Sequence, residues 1–182
     1  RCSRCPPRRV GAPAFPPLPL GATRPAGWRR RQLRTPAAGL TGHLDQFWPD
    51  VADSGWIGGA AEGWERGPYW LDGMVPLAYL LDDARLVAKV GRWMDAILAR
   101  QSADGWLGPR QDSATGRYKP LDPWPVSVFV KAALQYHSAT GDGRVVPALL
   151  AFYRRLSSQL EQVPLYDWGR MRWPELVLGL HG

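Results

Sequence analysis

From Leu71 onward the apolar positions follow helical spacing, and they do so in two different ways. The stretch MVPLAYLL at 74–81 is apolar on every side, as a helix buried all round should be. Asp72 is placed to cap its N-terminus, and Pro76 is tolerable if it falls in the first turn. Beyond Asp82 and Asp83, Leu86, Val87, Val90, Trp93, Met94, Ile97 and Leu98 form a single apolar stripe. Arg85, Lys89, Arg92 and Arg100 lie off that stripe, so the spacing predicts a surface helix covering the first.

The same events then recur. PVSVFVKAALQYH at 125–137 is apolar nearly all round, SATGDGR turns the chain, and Val145, Val146, Leu149, Leu150, Phe152, Tyr153, Leu156 and Leu160 make a second one-sided stripe. The pattern predicts an all-α protein built from repeated helical hairpins about 55 to 60 residues apart. GWRRRQLRTPAAGLTGHLDQFW reads as the outer helix of a preceding hairpin, interrupted at Pro36 and Gly39, and RWPELVLGLH as the opening of another inner helix.

Each outer helix is followed by a loop carrying Trp, Gly, Pro and an acidic residue: around 52–70, 102–124 and 163–175. In a repeat of antiparallel helix pairs these loops emerge on one rim and the short turns on the other. Aromatic and acidic side chains are therefore expected to converge around the N-termini of the inner helices. Such a rim suits a carbohydrate, because sugar C–H faces stack on aromatic rings and carboxylates accept hydroxyl hydrogen bonds. Glycosidic cleavage further needs a proton donor with a nucleophile or water activator.

The candidate carboxylates are Asp53, Glu62, Glu65, Asp72, Asp104, Asp112, Asp122, Asp167 and Glu175. Structural readings compete with the chemical one. Asp72 suits an N-cap, Glu65 and Arg66 a local charge pair, and Asp104 and Asp122 Asx turns before Gly and Pro. Trp93 belongs to a helical stripe and hence to the core, whereas Trp56, Trp64, Trp106 and Trp124 lie in loops, free to serve as ligand platforms or to pack over helix ends. His43 and His137 have no partner at ligand spacing and read as structural or surface residues.

Charge changes the picture only at the N-terminus. The 182-residue chain has a formal charge of +7, yet residues 1–44 hold nine arginines and no acid, leaving 14 basic against 16 acidic residues thereafter. The basic character thus belongs to an Arg- and Pro-rich leader, expected to be flexible over 1–19, and the body from 20 to 182 gives no reason to expect a nucleic-acid partner. With 45% hydrophobic residues and ten tryptophans the body is expected to fold. No apolar run approaches a membrane span, no signal peptide is recognisable, and a cytoplasmic location is the default expectation. Cys2 and Cys5 form a lone C-x-x-C with no second pair, so no metal site is expected in this chain. Motifs for phosphate transfer, dinucleotide binding, serine hydrolysis and zinc proteolysis are missing from the sequence.

GWERGPYWLDGMVPLAYLLDD, with ILARQSADGWLGP, DPWP, KAALQYHSATGDGRVVPAL and RWPE, resembles the beta-L-arabinofuranosidase-like glycoside hydrolases of family 127. The likeness runs from Pro17 to Glu175. It implies the N-terminal part of an (α/α)6 toroid of six-hairpin type, truncated here, since six hairpins need on the order of 300 residues. It further implies hydrolysis of L-arabinofuranosides or related plant-derived glycosides. The substrate side is expected to include Glu62, Trp64, Glu65, Arg66, Tyr69, Asp72 and Trp124. In characterised members a cysteine nucleophile in a Cys/Glu zinc site and a glutamate acid/base act in later hairpins; nothing in this sequence matches that motif, so the catalysts and any zinc are expected beyond Gly182 and the chain alone is expected to be inactive. A non-catalytic sugar-binding toroid, or a six-hairpin epimerase or lyase, are the alternatives; the latter would need a catalytic His or Tyr, for which Tyr69 and Tyr118 are available.

Overall fold

The computed structural model describes residues 17–110 and 121–181. Most of the leader, with Cys2 and Cys5, and also Asp112 and Tyr118, lie outside them. The described residues are helical, with no strand among them. In order they form α1 (Gly27–Ala38), α2 (Leu40–His43), the 3-10 turn η1 (Leu44–Gln46), α3 (Pro49–Ala52) and a second 3-10 turn η2 (Gly55–Ile57). There follow α4 (Arg66–Leu81), α5 (Ala84–Ala99), α6 (Trp124–Thr140), α7 (Val145–Leu160), α8 (Asp167–Met171) and α9 (Trp173–His181).

The two helix types meet their sequence expectation at α4 to α7. Leu71, Met74, Val75, Leu77 and Ala78 of α4 and Val126, Phe129, Val130, Ala132 and Ala133 of α6 are buried, and the two helices pack along one another. α5 buries Leu86, Val90, Trp93, Met94 and Ile97 against α4, with Val87 and Leu98 half-buried beside them. α7 buries Val145, Leu149, Phe152 and Leu156, whereas Val146, Leu150 and Leu160 of the same predicted stripe are exposed. α9 packs on α6, its Gly179 backbone so close to Val130 that an added Cβ would stand 2.6 Å from Val130 Cγ1.

Short turns join the pairs by the chemistry their residues predict. Asp82 ends α4 with φ 55°, and the Asp83 carboxylate accepts the N–H groups of Arg85 and Leu86 at 3.0 and 3.2 Å, capping α5. Gly141 ends α6 with φ 69°.

Three local expectations are corrected. α4 begins at Arg66, so Asp72 sits in the helix interior instead of capping it, and Pro76 is ten residues past the start instead of in the first turn. Pro76 and Asp72, whose carbonyl the missing N–H would have reached, are both half-buried. Lys89, placed off the α5 stripe by its charge, is 5% exposed. Its Nζ donates to the Gly42 carbonyl at 2.9 Å and pairs with Asp45, tying α2 and η1 to α5. The interrupted 27–48 segment is α1 followed by these short turns, with Gly39 marking the break.

Lys89→Ala is expected to cost about 3 kcal/mol in urea denaturation, because it strands a largely buried Asp45. Lys131→Met removes an ammonium that is 61% exposed and leaves Gln135 bonded to Asp72, so it is expected to cost less than about 1 kcal/mol in the same measurement.

Candidate functional site

The N-terminus of α4 needs partners for its first N–H groups, and Glu62 supplies them. Its carboxylate accepts the N–H of Trp64 at 3.0 Å and of Glu65 at 3.0 Å, with the Arg66 N–H at 3.4 and 3.5 Å from its two oxygens. This is the capping role expected of Asp72. Burial raises the Glu62 pKa above its ordinary value, outweighing the opposing effect of the N–H bonds and of Arg66. Asp72 is held across the helix interface by Lys131 Nζ at 2.9 Å and Gln135 Nε2 at 3.4 Å.

The loop before α4 is closed on itself. The Gly55 N–H donates to the Glu62 carbonyl at 3.1 Å, and the Asp53 carboxylate accepts the Ala60 N–H at 3.1 Å. Trp56 Nε1 donates to the Trp64 carbonyl at 2.8 Å, its ring 2% exposed and 5.5 Å from Phe129 of α6. Gly108, at φ +83°, lies where a Cβ would stand 2.6 Å from the Trp56 ring, so the next loop is pressed against it. Trp106 is likewise buried, 5.6 Å from Phe152. Trp56 and Trp106 are therefore core residues and offer no face to a ligand.

Three of the expected binding residues do come together. Trp64 lies edge-on to Trp124 at 5.1 Å, and Tyr69 contacts Trp124 at 6.2 Å. Trp64 Nε1 donates to Asp122 at 3.3 Å, and Trp124 Nε1 donates to Glu175 at 3.0 Å, which also pairs with Arg172 at 3.2 Å. Trp168 of α8 stands 5.7 Å from Trp124. Segments 62–69, 122–124 and 168–175 thus share one surface. Trp124 itself is 4% exposed, a correction to its expected role: it backs the cluster, and the accessible rings are Tyr69 and Trp168. Burial, then the Glu175 charge, raises the Tyr69 pKa, keeping the phenol protonated.

Arg66 turns away from that cluster. Its guanidinium pairs with Asp50, not with Glu65, and lies 5.3 Å from the Trp48 ring; the hydrogen bond to Asp50 raises its pKa. Between the Leu40–Trp48 segment and α4 runs a groove of about 490 Å3 that Glu65, Arg66 and Tyr69 border. Among the described residues the Glu65 carboxylate and the Tyr69 hydroxyl have no hydrogen-bond partner.

The remaining carboxylates are mostly structural. Asp104 and Asp122 each accept the N–H two residues on, at 3.2 and 3.0 Å, as Asx turns require. Asp104 also pairs with Arg110 and Arg155, which hold its pKa well below the carboxylate range. His43 and His137 bond Gln46 and the Asp142 carbonyl respectively. Among the described residues no group of three His, Cys, Asp or Glu could hold a metal ion. No helix among them is long and apolar enough to cross a membrane. The contributions of Trp48, Asp50, Trp168 and Arg172 escaped sequence reasoning: the partners of the first three lie 16 or more residues away, Arg172 serves Glu175 only three residues on, and only an abundance of tryptophan in the loops hinted at two of them.

In comparison with known proteins, no family, curated protein or solved structure matches the chain.

Glu62→Ala is expected to lower stability by about 1 to 2 kcal/mol through loss of the cap. Because the folded-state pKa of Glu62 is raised above 4.5, the folded chain holds this proton more tightly than the unfolded one. Its stabilising contribution is present in full below about pH 4.5 and declines as pH rises through the folded-state value. Urea denaturation at several pH values should show that limb in the wild type and its absence in Glu62→Gln.

Proposed function

We propose that this chain forms part of a carbohydrate-active (α/α)6 domain, presenting the sugar-binding side of a glycoside hydrolase that acts on L-arabinofuranosides or related plant-derived glycosides. The observation that supports this best is the meeting of Trp64, Tyr69, Trp124, Trp168, Glu65 and Glu175 around the N-termini of α4 and α6. Exposed rings beside carboxylates and a phenol match what a hydroxylated ring with apolar C–H faces requires. The alternation of helices apolar on most sides (α4, α6) with helices that bury a single stripe (α5, α7), and the motif likeness over 17–175, support the toroid.

Within this reading, Tyr69 and Trp168 supply stacking surfaces and Glu65 a hydrogen-bond acceptor, while Glu62 and Asp72 hold the scaffold. Catalytic residues are not assigned to this chain.

A second reading has its own support. Glu62, Asp72, Asp104 and Asp122 are all engaged by backbone N–H groups or by basic side chains, which suits a binding surface without chemistry.

Titration with methyl L-arabinofuranoside, followed by tryptophan fluorescence, and assay on aryl arabinofuranosides and other aryl glycosides test both readings. Saturable quenching is expected, weakened about tenfold in Tyr69→Ala, a stacking loss of about 1.4 kcal/mol. Binding without turnover, in this chain and in any longer gene product, selects the non-catalytic reading; no binding of any glycoside overturns both.

A further inference from the structure

The groove beside α4 differs in chemistry from the cluster around Trp124, and that difference bears on what kind of glycoside fits. Its walls are Leu40, Leu44, Trp48, Tyr69 and Trp70, and Gly73 forms part of its floor. Most of the polar atoms along it are consumed internally, the Thr41 hydroxyl excepted. Trp70 Nε1 donates to the Thr41 carbonyl at 2.9 Å, and the Arg66 guanidinium is held by Asp50 beneath the Trp48 ring. What remains along the groove is mostly carbon, with the Thr41 hydroxyl on the Leu40–Trp48 side and two further uncommitted polar groups, the Glu65 carboxylate and the Tyr69 hydroxyl, at the α4 N-terminal end.

Tyr69 joins the two regions. It lines the groove and also contacts Trp124 of the aromatic cluster at 6.2 Å. A ligand lying across Tyr69 meets an acceptor and a phenol first and then a hydrocarbon wall. Only a molecule with a hydroxylated part and an apolar part satisfies both: a free sugar leaves the groove's carbon surface wet, and a purely apolar molecule leaves Glu65 desolvated without a donor.

We infer that the groove between the Leu40–Trp48 segment and α4 is an aglycone subsite, accepting the apolar, ring-sized aglycone of a glycoside whose sugar is held at Glu65 and Tyr69. This rests on the carbohydrate reading above and names the substrate class within it. The floor offers a direct control. Gly73 has no atom within 4 Å of the position a Cβ would take, so a larger side chain there fills the groove while improving helix propensity. Leu40 is 68% exposed, so its replacement tests the wall without opening the core.

The test compares methyl L-arabinofuranoside, phenyl L-arabinofuranoside and phenol by calorimetric titration of the full chain, its Gly73→Leu and Leu40→Gln variants, with circular dichroism to check folding. The phenyl glycoside is expected to bind about tenfold more tightly than the methyl one, roughly the burial of one ring face. Gly73→Leu should abolish that advantage, Leu40→Gln should reduce it, and neither should change methyl glycoside affinity. Equal affinities for the two glycosides, unchanged in Gly73→Leu, would overturn the aglycone subsite and leave the sugar site standing. Phenol binding as tightly as the phenyl glycoside, with no methyl glycoside binding, would overturn both, the groove then being a site for apolar ligands alone. Absence of binding by all three probes would overturn the inference together with the reading beneath it.

Discussion

A helix that begins in the middle of a protein leaves N–H groups with nothing to donate to, and at α4 those groups are met by a single carboxylate. Glu62 reaches the N–H groups of Trp64, Glu65 and Arg66, and to do so the chain must fold back sharply between 62 and 66. That reversal aims the Trp64 carbonyl at Trp56 Nε1 and the Trp64 ring at Trp124. It also sets the direction in which Tyr69 leaves the first turns of the helix. The aromatic cluster, the closed loop before it and the neighbouring groove all hang on this one capping interaction, which is why burial of the carboxylate is tolerated despite its cost.

Tryptophan divides into two populations. Trp56, Trp70, Trp93, Trp106 and Trp124 are buried, and pairs such as Trp70 with Trp93, 4.8 Å apart, fill the wedges between helices and the loops that cross their ends. A ring buried this way contributes a large apolar area and a satisfied or stranded N–H: Trp56 and Trp70 bond carbonyls, while Trp106 Nε1 has no partner among the described residues. Trp168 and Trp173 are half exposed, and with Tyr69 and the half-buried Trp48 and Trp64 they supply the accessible aromatic surface of the region. Loops rich in tryptophan are therefore first a packing device, and their accessible aromatic surface is the smaller remainder.

Much of the carboxylate chemistry suggested by the loops resolves the same way. Asp104 and Asp122 close Asx turns, Asp53 and Glu62 bind backbone N–H groups, and Asp72 bridges α4 to α6 through Lys131. Asp and Glu near helix starts are good at satisfying orphan donors, so sequence proximity to a helix N-terminus signals capping as readily as catalysis. Glu65 differs: the nearby N–H donors are already held by Glu62, and its carboxylate has no hydrogen-bond partner among the described residues.

Spacing of apolar residues alone determined that α4 and α6 would be helices with broad buried surfaces and that α5 and α7 would each bury a stripe, because periodicity at 3.6 residues is a local property of the backbone; the exposed Tyr69, Gly73 and Lys131 show that neither α4 nor α6 is buried all round. The turns at Asp82, Asp83 and Gly141 were equally legible, since left-handed backbone and capping side chains are chosen within a few residues. Tertiary structure decided the rest: where α4 begins, which of Trp56, Trp64, Trp106 and Trp124 faces outward, why Lys89 is buried, and why Arg66 turns to Asp50. Apart from the start of α4, which Glu62 caps from two to four residues away, each of these depends on a partner 8 to 58 residues away, such as Trp64 for Trp56 or Asp122 for Trp64. A long-range contact leaves no period in the chain, and a charged or aromatic side chain takes whichever partner the folded backbone brings within reach.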